Sequence, residues 1–274
     1  MIWREATPTD ETSVLELTRE PMGGDIQLIW GLNEFRAPDG CDKFKAHCIQ
    51  IQDTVSGCVL SWNWPDGNRY LGGLRFGKKM PTRPRPRFWK HAFESLLDGV
   101  EFAWTCIGTE NHRARRILES DVSWLPNYTK HQDITTWFVP LPHRRRNTSA
   151  TAQSVETANW RHVAIASGKG LPYQIGRAMH QIGLPGIPPT LKALRLAYYQ
   201  PEESVTAEAQ KKLLKNLCGY DALIVVLPSN SERAKQWQAI VPRIHWKWSS
   251  ALYTVSWRKR SAAPDIPNWK GLWL

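Results

Sequence analysis

No run of apolar residues in this 274-residue sequence approaches the ~18–20 that a membrane-spanning helix needs, so no membrane span is expected. The opening "MIWREATPTD" carries acids and lacks the charged-then-apolar order of a secretory signal. Cysteine is scarce and odd in number: Cys41, Cys48, Cys58, Cys106 and Cys218, with no CxxC spacing. That excludes the usual zinc arrangements and a fully paired disulfide framework. Reduced, mostly buried thiols, no metal and a cytoplasmic setting are expected. Acids are also in short supply, 25 against 36 lysines and arginines, giving a net charge of +11 and a pI near 9.6. Such a field favours a negative partner: nucleic acid, a phosphorylated cofactor, an acidic carrier protein or an anionic membrane. Solubility alone is the other reading of the charge. No recognisable nucleic-acid motif accompanies the basic runs, which argues against nucleic acid.

What is plentiful is tryptophan, with 15 residues in a chain that is 42% hydrophobic. Trp62, Trp64 and Trp104 fall at alternating strand positions and read as core, with others left to line an apolar groove. The length fits one large domain or two small ones.

Along the chain, Thr7, Pro8 and Asp10 suit a helix cap, first turn and third position after "MIWREA", a short strand. "DIQLIWGLNEF" reads as a second helical segment. "AHCIQIQ", "GCVLSWNW" and "RYLGGLRF" alternate like strands, the last interrupted by Gly72 and Gly73, which mark a bulge or a close backbone approach. Then comes "KKMPTRPRPR", with three prolines and three arginines between Pro81 and Arg87. Behind it, Phe88, Trp89, Ala92, Phe93, Leu96 and Leu97 form one apolar helical face, closed by Gly99. "VEFAWTCIG" is a strand, "TENHRARRILES" a helix capped by Thr109, and "DITTWFVPL" a strand.

Residues 143–158, basic then small and polar, read as a linker between domains 1–142 and 159–274. The second half restarts with "WRHVAIA", then offers helices at "TAEAQKKLLKNLCG" and "SNSERAKQWQAI" and strands at "DALIVVLP" and "SALYTVSW". "WTCIGTENHRARRIL" and "LIVVLPSNSERAKQW" share one order of strand, cap and helix, a weak internal repeat.

The order of these pieces resembles the GNAT N-acetyltransferase superfamily, most of all bacterial proteins with a second, reduced GNAT-like half. "IWREATPTDETSVLELTRE" matches its first strand and helix, "PMGGDIQLIW" its substrate-side segment, "YLGGLRF" its fourth strand and "TENHRARRILES" the helix after its fifth. "KWSSALYTVSWRKR" is similar to the close of the two-part proteins. The resemblance implies an α/β (α+β) fold: a mixed, mostly antiparallel sheet with flanking helices, and an abbreviated second copy.

It further implies an acyltransferase using acetyl-CoA or another acyl-CoA as donor and a small-molecule amine as acceptor. In that family the fourth and fifth strands splay at a bulge, and the pantetheine arm lies along the fourth, here Leu74, Arg75 and Phe76. The pyrophosphate sits on backbone N–H groups at the next helix start, here Arg83, Arg85, Arg87 and Phe88. Pro84 and Pro86 stand where glycine is expected, and proline has no N–H to offer. The guanidiniums of Arg83, Arg85 and Arg87 supply charge-assisted contacts instead. A remodelled anion site and a loop that binds nothing both remain open. Asn111 matches the family's pantetheine-contacting asparagine and Ala114 its small partner. The tyrosine acid is replaced by Ile117 and Leu118, and the fourth strand carries no carboxylate. Glu34 and Asp25 are the remaining candidates for a base; His47, His91, His112 and His131 are scattered and read as structural. An acidic acyl carrier protein as donor is the alternative, since it lacks the nucleotide end that the cradle would hold. A catalytically inactive anion-binding module is another.

Overall fold

The computed structural model describes residues 1–19, 27–30, 43–64, 67–77, 80, 85–141, 163–167, 171–184, 186, 193–194, 196–199, 206–217 and 222–258. In chain order these hold β1 (Ile2–Glu5), a 3-10 turn (Pro8–Asp10), α1 (Glu11–Arg19), β2 (Gln27–Trp30), β3 (Lys43–Ile51), β4 (Thr54–Asn63) and β5 (Arg69–Phe76). Next come α2 (Pro86–Leu96), β6 (Ala103–Gly108), α3 (His112–Leu118), β7 (Asn127–Pro140), β8 (Val163–Ser167) and α4 (Leu171–Gln181). The last are β9 (Ala193–Leu194), β10 (Leu196–Tyr199), α5 (Ala207–Asn216), β11 (Ala222–Pro228), α6 (Glu232–Ile240) and β12 (Trp246–Ser256).

The chain forms two compact units: Met1–Met22, Leu32–Gln132 and Ala251–Asn268 make the first, and Gly23–Gly31, Asp133–Ser250 and Trp269–Leu274 the second. In the first, strands follow the order β1, β3, β4, β5, β6, β12, β7, the last two contributing residues 251–256 and 127–132. β1, β3, β4 and β5 pair antiparallel, whereas β5 and β6 pair parallel because α2 crosses between them. In the second unit β7 pairs antiparallel with β11, β11 parallel with β10, and β2, β8 and β9 form a separate small sheet. The architecture is the expected α/β class, a mixed sheet flanked by helices.

Asp10 fixes the entry to α1. Its carboxylate accepts the Thr7 N–H at 2.8 Å and takes both guanidinium nitrogens of Arg4 at 2.7 and 2.8 Å. α2 lies on one face of the first sheet, burying Ala92, Phe93, Leu96 and Leu97 against Val59, Leu71, Ala103 and Val255. Each large side chain so buried contributes roughly 1.5–3 kcal/mol. α3 packs beside it on Ile107, Ala251 and Tyr253, and Tyr128 touches both clusters. The second unit's core is Trp137, Val139, Leu223, Val225, Leu227 and Trp237.

One expectation fails. "DIQLIWGLNEF" is not helical over its described part: Gln27–Trp30 is β2, paired antiparallel with β8. Four residues are too few for periodicity to separate strand from helix, and the backbone of β8 decides the matter from far along the chain. The linker residues 143–158 lie outside the described residues.

Candidate functional site

β4 and β5 pair in one register from Asn63↔Arg69 to Leu60↔Gly72, and in another at Cys58↔Arg75 and Gly57↔Phe76. Between the two, Gly73 and Leu74 face Val59 alone. Gly73 has a left-handed φ of 62°, which makes this a glycine-led bulge. The glycine pair therefore marks a bulge, as the sequence suggests.

On its other edge β5 pairs with β6 through two rungs, Tyr70↔Trp104 and Leu71↔Thr105. The ladder stops where the glycines begin. Gly72–Phe76 of β5 and Cys106–Gly108 of β6 lie beyond the last rung, so the two strands part as a fork. Among the described residues no strand pairs with this edge beyond the last rung, and such backbone groups can bind an extended ligand as though it were a strand.

The fork has two dissimilar sides. On one stand α2 and α3. On the other, Trp62 and Tyr70 lie 5.8 Å apart, and a Cβ on Gly72 would sit 2.9 Å from the Tyr70 ring and 3.0 Å from Trp62. The Tyr70 phenol hydrogen-bonds the Cys106 thiol just beyond the last rung. Burial pushes the Cys106 thiol up to about 12 and the Tyr70 phenol well above its ordinary value, so both keep their protons at neutral pH. His131 stacks on Trp104 at 5.1 Å and bonds the Thr254 hydroxyl at 2.9 Å, a structural role.

Leu74, Arg75 and Phe76 form the outer arm of β5. Leu74 packs with the α2 cluster, and burial lowers the pKa of Arg75. Phe76 is 47% exposed and meets Trp89 of α2 edge-on at 5.4 Å. Arg85 is the N-cap of α2 and Pro86 its first residue; the Arg85 side chain makes no capping hydrogen bond. Proline has no N–H, so the first-turn amides without an acceptor inside the helix are those of Arg87 and Phe88. The side chains of Arg85 and Arg87 are exposed beside them. Arg83, Glu34 and Asp25 lie outside the described residues.

Asn111, not Thr109, caps α3: its Oδ1 accepts the Ala114 N–H at 3.1 Å. Both residue types make good caps, and only the backbone turn at residues 108–111 selects between them. Ala114 packs with Leu118 on Ile107 and Tyr253, and Ile117 is 46% exposed.

No protein-family model matches the sequence, and no curated protein does. Solved structures do. A GCN5-related N-acetyltransferase from Sphaerobacter thermophilus is similar over 94% of this chain and 96% of its own, with TM-score 0.54 and 10% identity. A tandem GNAT protein from the clavulanic acid biosynthesis pathway is similar over 95% of this chain and 99% of its own, with TM-score 0.50 and 11% identity. The chain has a GNAT fold.

Within that fold the second unit repeats the order of the first. β10, α5, β11, α6 and β12 follow each other as β5, α2, β6, α3 and β7 do. Ser231 caps α6 by accepting the Ala234 N–H at 3.1 Å, as Asn111 does for Ala114. Two features differ. Every residue of β10 pairs with β11, from Leu196↔Ala222 to Tyr199↔Val225. Thr206 caps α5 by accepting the Ala209 N–H at 3.2 Å. Among the described residues, β5 runs five residues past its last rung with β6, whereas β10 is paired along its whole described length; Thr206 caps α5, whereas the Arg85 side chain makes no capping bond to α2.

Sequence reasoning passed over two contributors. Arg69, at the start of β5, bonds the far end of α2, and Cys58 bonds the bulge itself. Only the strand register brings either into view.

Proposed function

We propose that the chain is a GNAT-type N-acyltransferase that moves an acyl group, acetyl first among candidates, from an acyl-CoA thioester to a small-molecule amine. One observation carries the reading: the β5–β6 ladder ends after two rungs at a glycine-led bulge, and α2 starts with exposed Arg85 and Arg87 and no capping bond from Arg85. An extended pantetheine arm suits the open edge, and a pyrophosphate suits the amides of Arg87 and Phe88 with the guanidiniums of Arg85, Arg87 and Arg83. Leu74, Arg75 and Phe76 would run along the arm. Asn111 keeps its amide nitrogen for the ligand while its oxygen caps α3.

The chemistry needs alignment, loss of a proton from the amine and a proton for the departing thiolate. An amine that arrives neutral needs no strong base. Glu34 and Asp25 are the proposed proton acceptors on the substrate side. Cys48, Cys58 and Cys106 are free thiols, which suits the reducing cytoplasm.

Pro86 at the first helical position removes one cradle donor, and this favours a second donor class, an acyl group on an acidic carrier protein. Such a donor has no adenine nucleotide, and its acidic surface would meet the exposed Arg85 and Arg87.

The test is release of free thiol from acetyl-CoA, and separately from an acetylated carrier protein, with a panel of primary amines. Amine-dependent release with N-acetylated product supports the reading. Absence of amine-dependent release from either donor overturns it.

A further inference from the structure

We infer that the Cys58 thiol clamps the β5 bulge and is a positioning residue for the acyl donor. The register of β4 against β5 shifts between Cys58 and Leu60, and such a shift drops backbone groups from the ladder. The thiol of Cys58 takes up one of them: its Sγ–H donates to the Gly73 carbonyl at 3.6 Å. Cys58 thus holds the bulge at Gly73 by its side chain, while its strand pairing with Arg75 resumes the ladder just past it.

The consequence for the fork follows from peptide geometry. A trans peptide points its C=O and N–H in opposite directions, so holding the Gly73 carbonyl on the β4 side turns the Leu74 N–H away from β4. The edge away from β4 is the fork edge. Burial raises the Cys58 thiol to about 12, so it stays protonated and keeps donating at every pH the fold tolerates. Cys58 is 1% exposed and its neighbours Val59 and Leu60 are each 3% exposed, so water has no access to replace it. Serine retains the donor, whereas alanine and valine do not.

The positioning half of this inference rests on the acyl-donor reading; the clamp half stands without it. Two measurements on the full chain separate them: amide hydrogen exchange at Arg75, and acetyl-CoA binding by calorimetry. In Cys58→Ala, and in Cys58→Val, which fills the volume and keeps the core packed, exchange at Arg75, the first ladder partner past the bulge, is expected to speed up about tenfold and acetyl-CoA to bind about tenfold more weakly, as loss of one hydrogen bond implies. Cys58→Ser is expected to stay close to the parent in both. Unchanged exchange at Arg75 in the valine variant overturns the clamp. Faster exchange with parental acetyl-CoA affinity overturns the positioning role. A parent that binds no acetyl-CoA removes the donor reading, while the exchange result still decides the clamp.

Discussion

The Arg69 guanidinium donates to the Leu96 carbonyl at 2.6 Å, tying the first residue of β5 to the last of α2. It also donates to the Asp98 carbonyl at 2.9 Å and to Asn63 Oδ1 at 2.6 Å. A cation thus satisfies the carbonyls at the negative end of α2, while among the described residues no side chain caps the positive end. The helix is fastened where it leaves the site and left open where it meets it.

Arg69→Ala leaves those carbonyls without their charged donor. Hydrogen bonds to charged groups contribute about 1.5–3 kcal/mol, and a loss of about 2 kcal/mol is expected for this partly exposed group. Urea unfolding checks it; a loss below about 0.5 kcal/mol would show that water replaces the guanidinium without penalty.

Gly73→Ala should be destabilising for two separate reasons. A φ of 62° costs a non-glycine residue roughly 1–2 kcal/mol, and the new Cβ would meet Leu60 Cδ1 at 3.0 Å. A matched Gly99→Ala, at φ 74° with open space around its Cβ, isolates the backbone part. The difference between the two in urea unfolding reads the cost of crowding at the bulge, and Gly73→Ala is expected to be the worse.

His47 lends the fold a pH dependence. It stacks on Trp3 at 5.0 Å, and burial lowers its pKa to about 4. The unfolded chain therefore binds the proton more readily than the folded one between about pH 6.5 and 4. Its contribution is complete above the unfolded pKa and is lost as the pH falls toward the folded one, up to about 3 kcal/mol in all. At lower pH Asp10 adds a further fall, because Arg4 holds its carboxyl well below the usual carboxylate range. His47→Leu should flatten urea-unfolding stability between about pH 7 and pH 5; an unchanged slope would assign that dependence elsewhere.

Much of this was legible in the sequence where one residue suffices to impose a geometry. Gly72 and Gly73 announced a bulge because little else accepts a left-handed turn inside a strand. The apolar face of α2 followed from spacing, and Pro86 from its fit to a first helical turn. What sequence did not reveal depends on pairing between distant segments. β2 is a strand because β8 lies beside it, and Cys58 meets Gly73 only through the β4–β5 register. The contrast between the two units is of the same kind. "TENHRAR" and "SNSERAK" look alike, yet β5 extends past its pairing with β6 while the described residues of β10 are all paired with β11.

A calorimetric titration with acetyl-CoA tests the central claim most directly. The expected result is one site per chain with affinity of micromolar order, weakened at least about tenfold by the Arg85→Ala/Arg87→Ala double variant, since each charge-assisted contact is worth more than a neutral one. No binding, or one site indifferent to both arginines, would contradict an anion-binding open fork in the first unit.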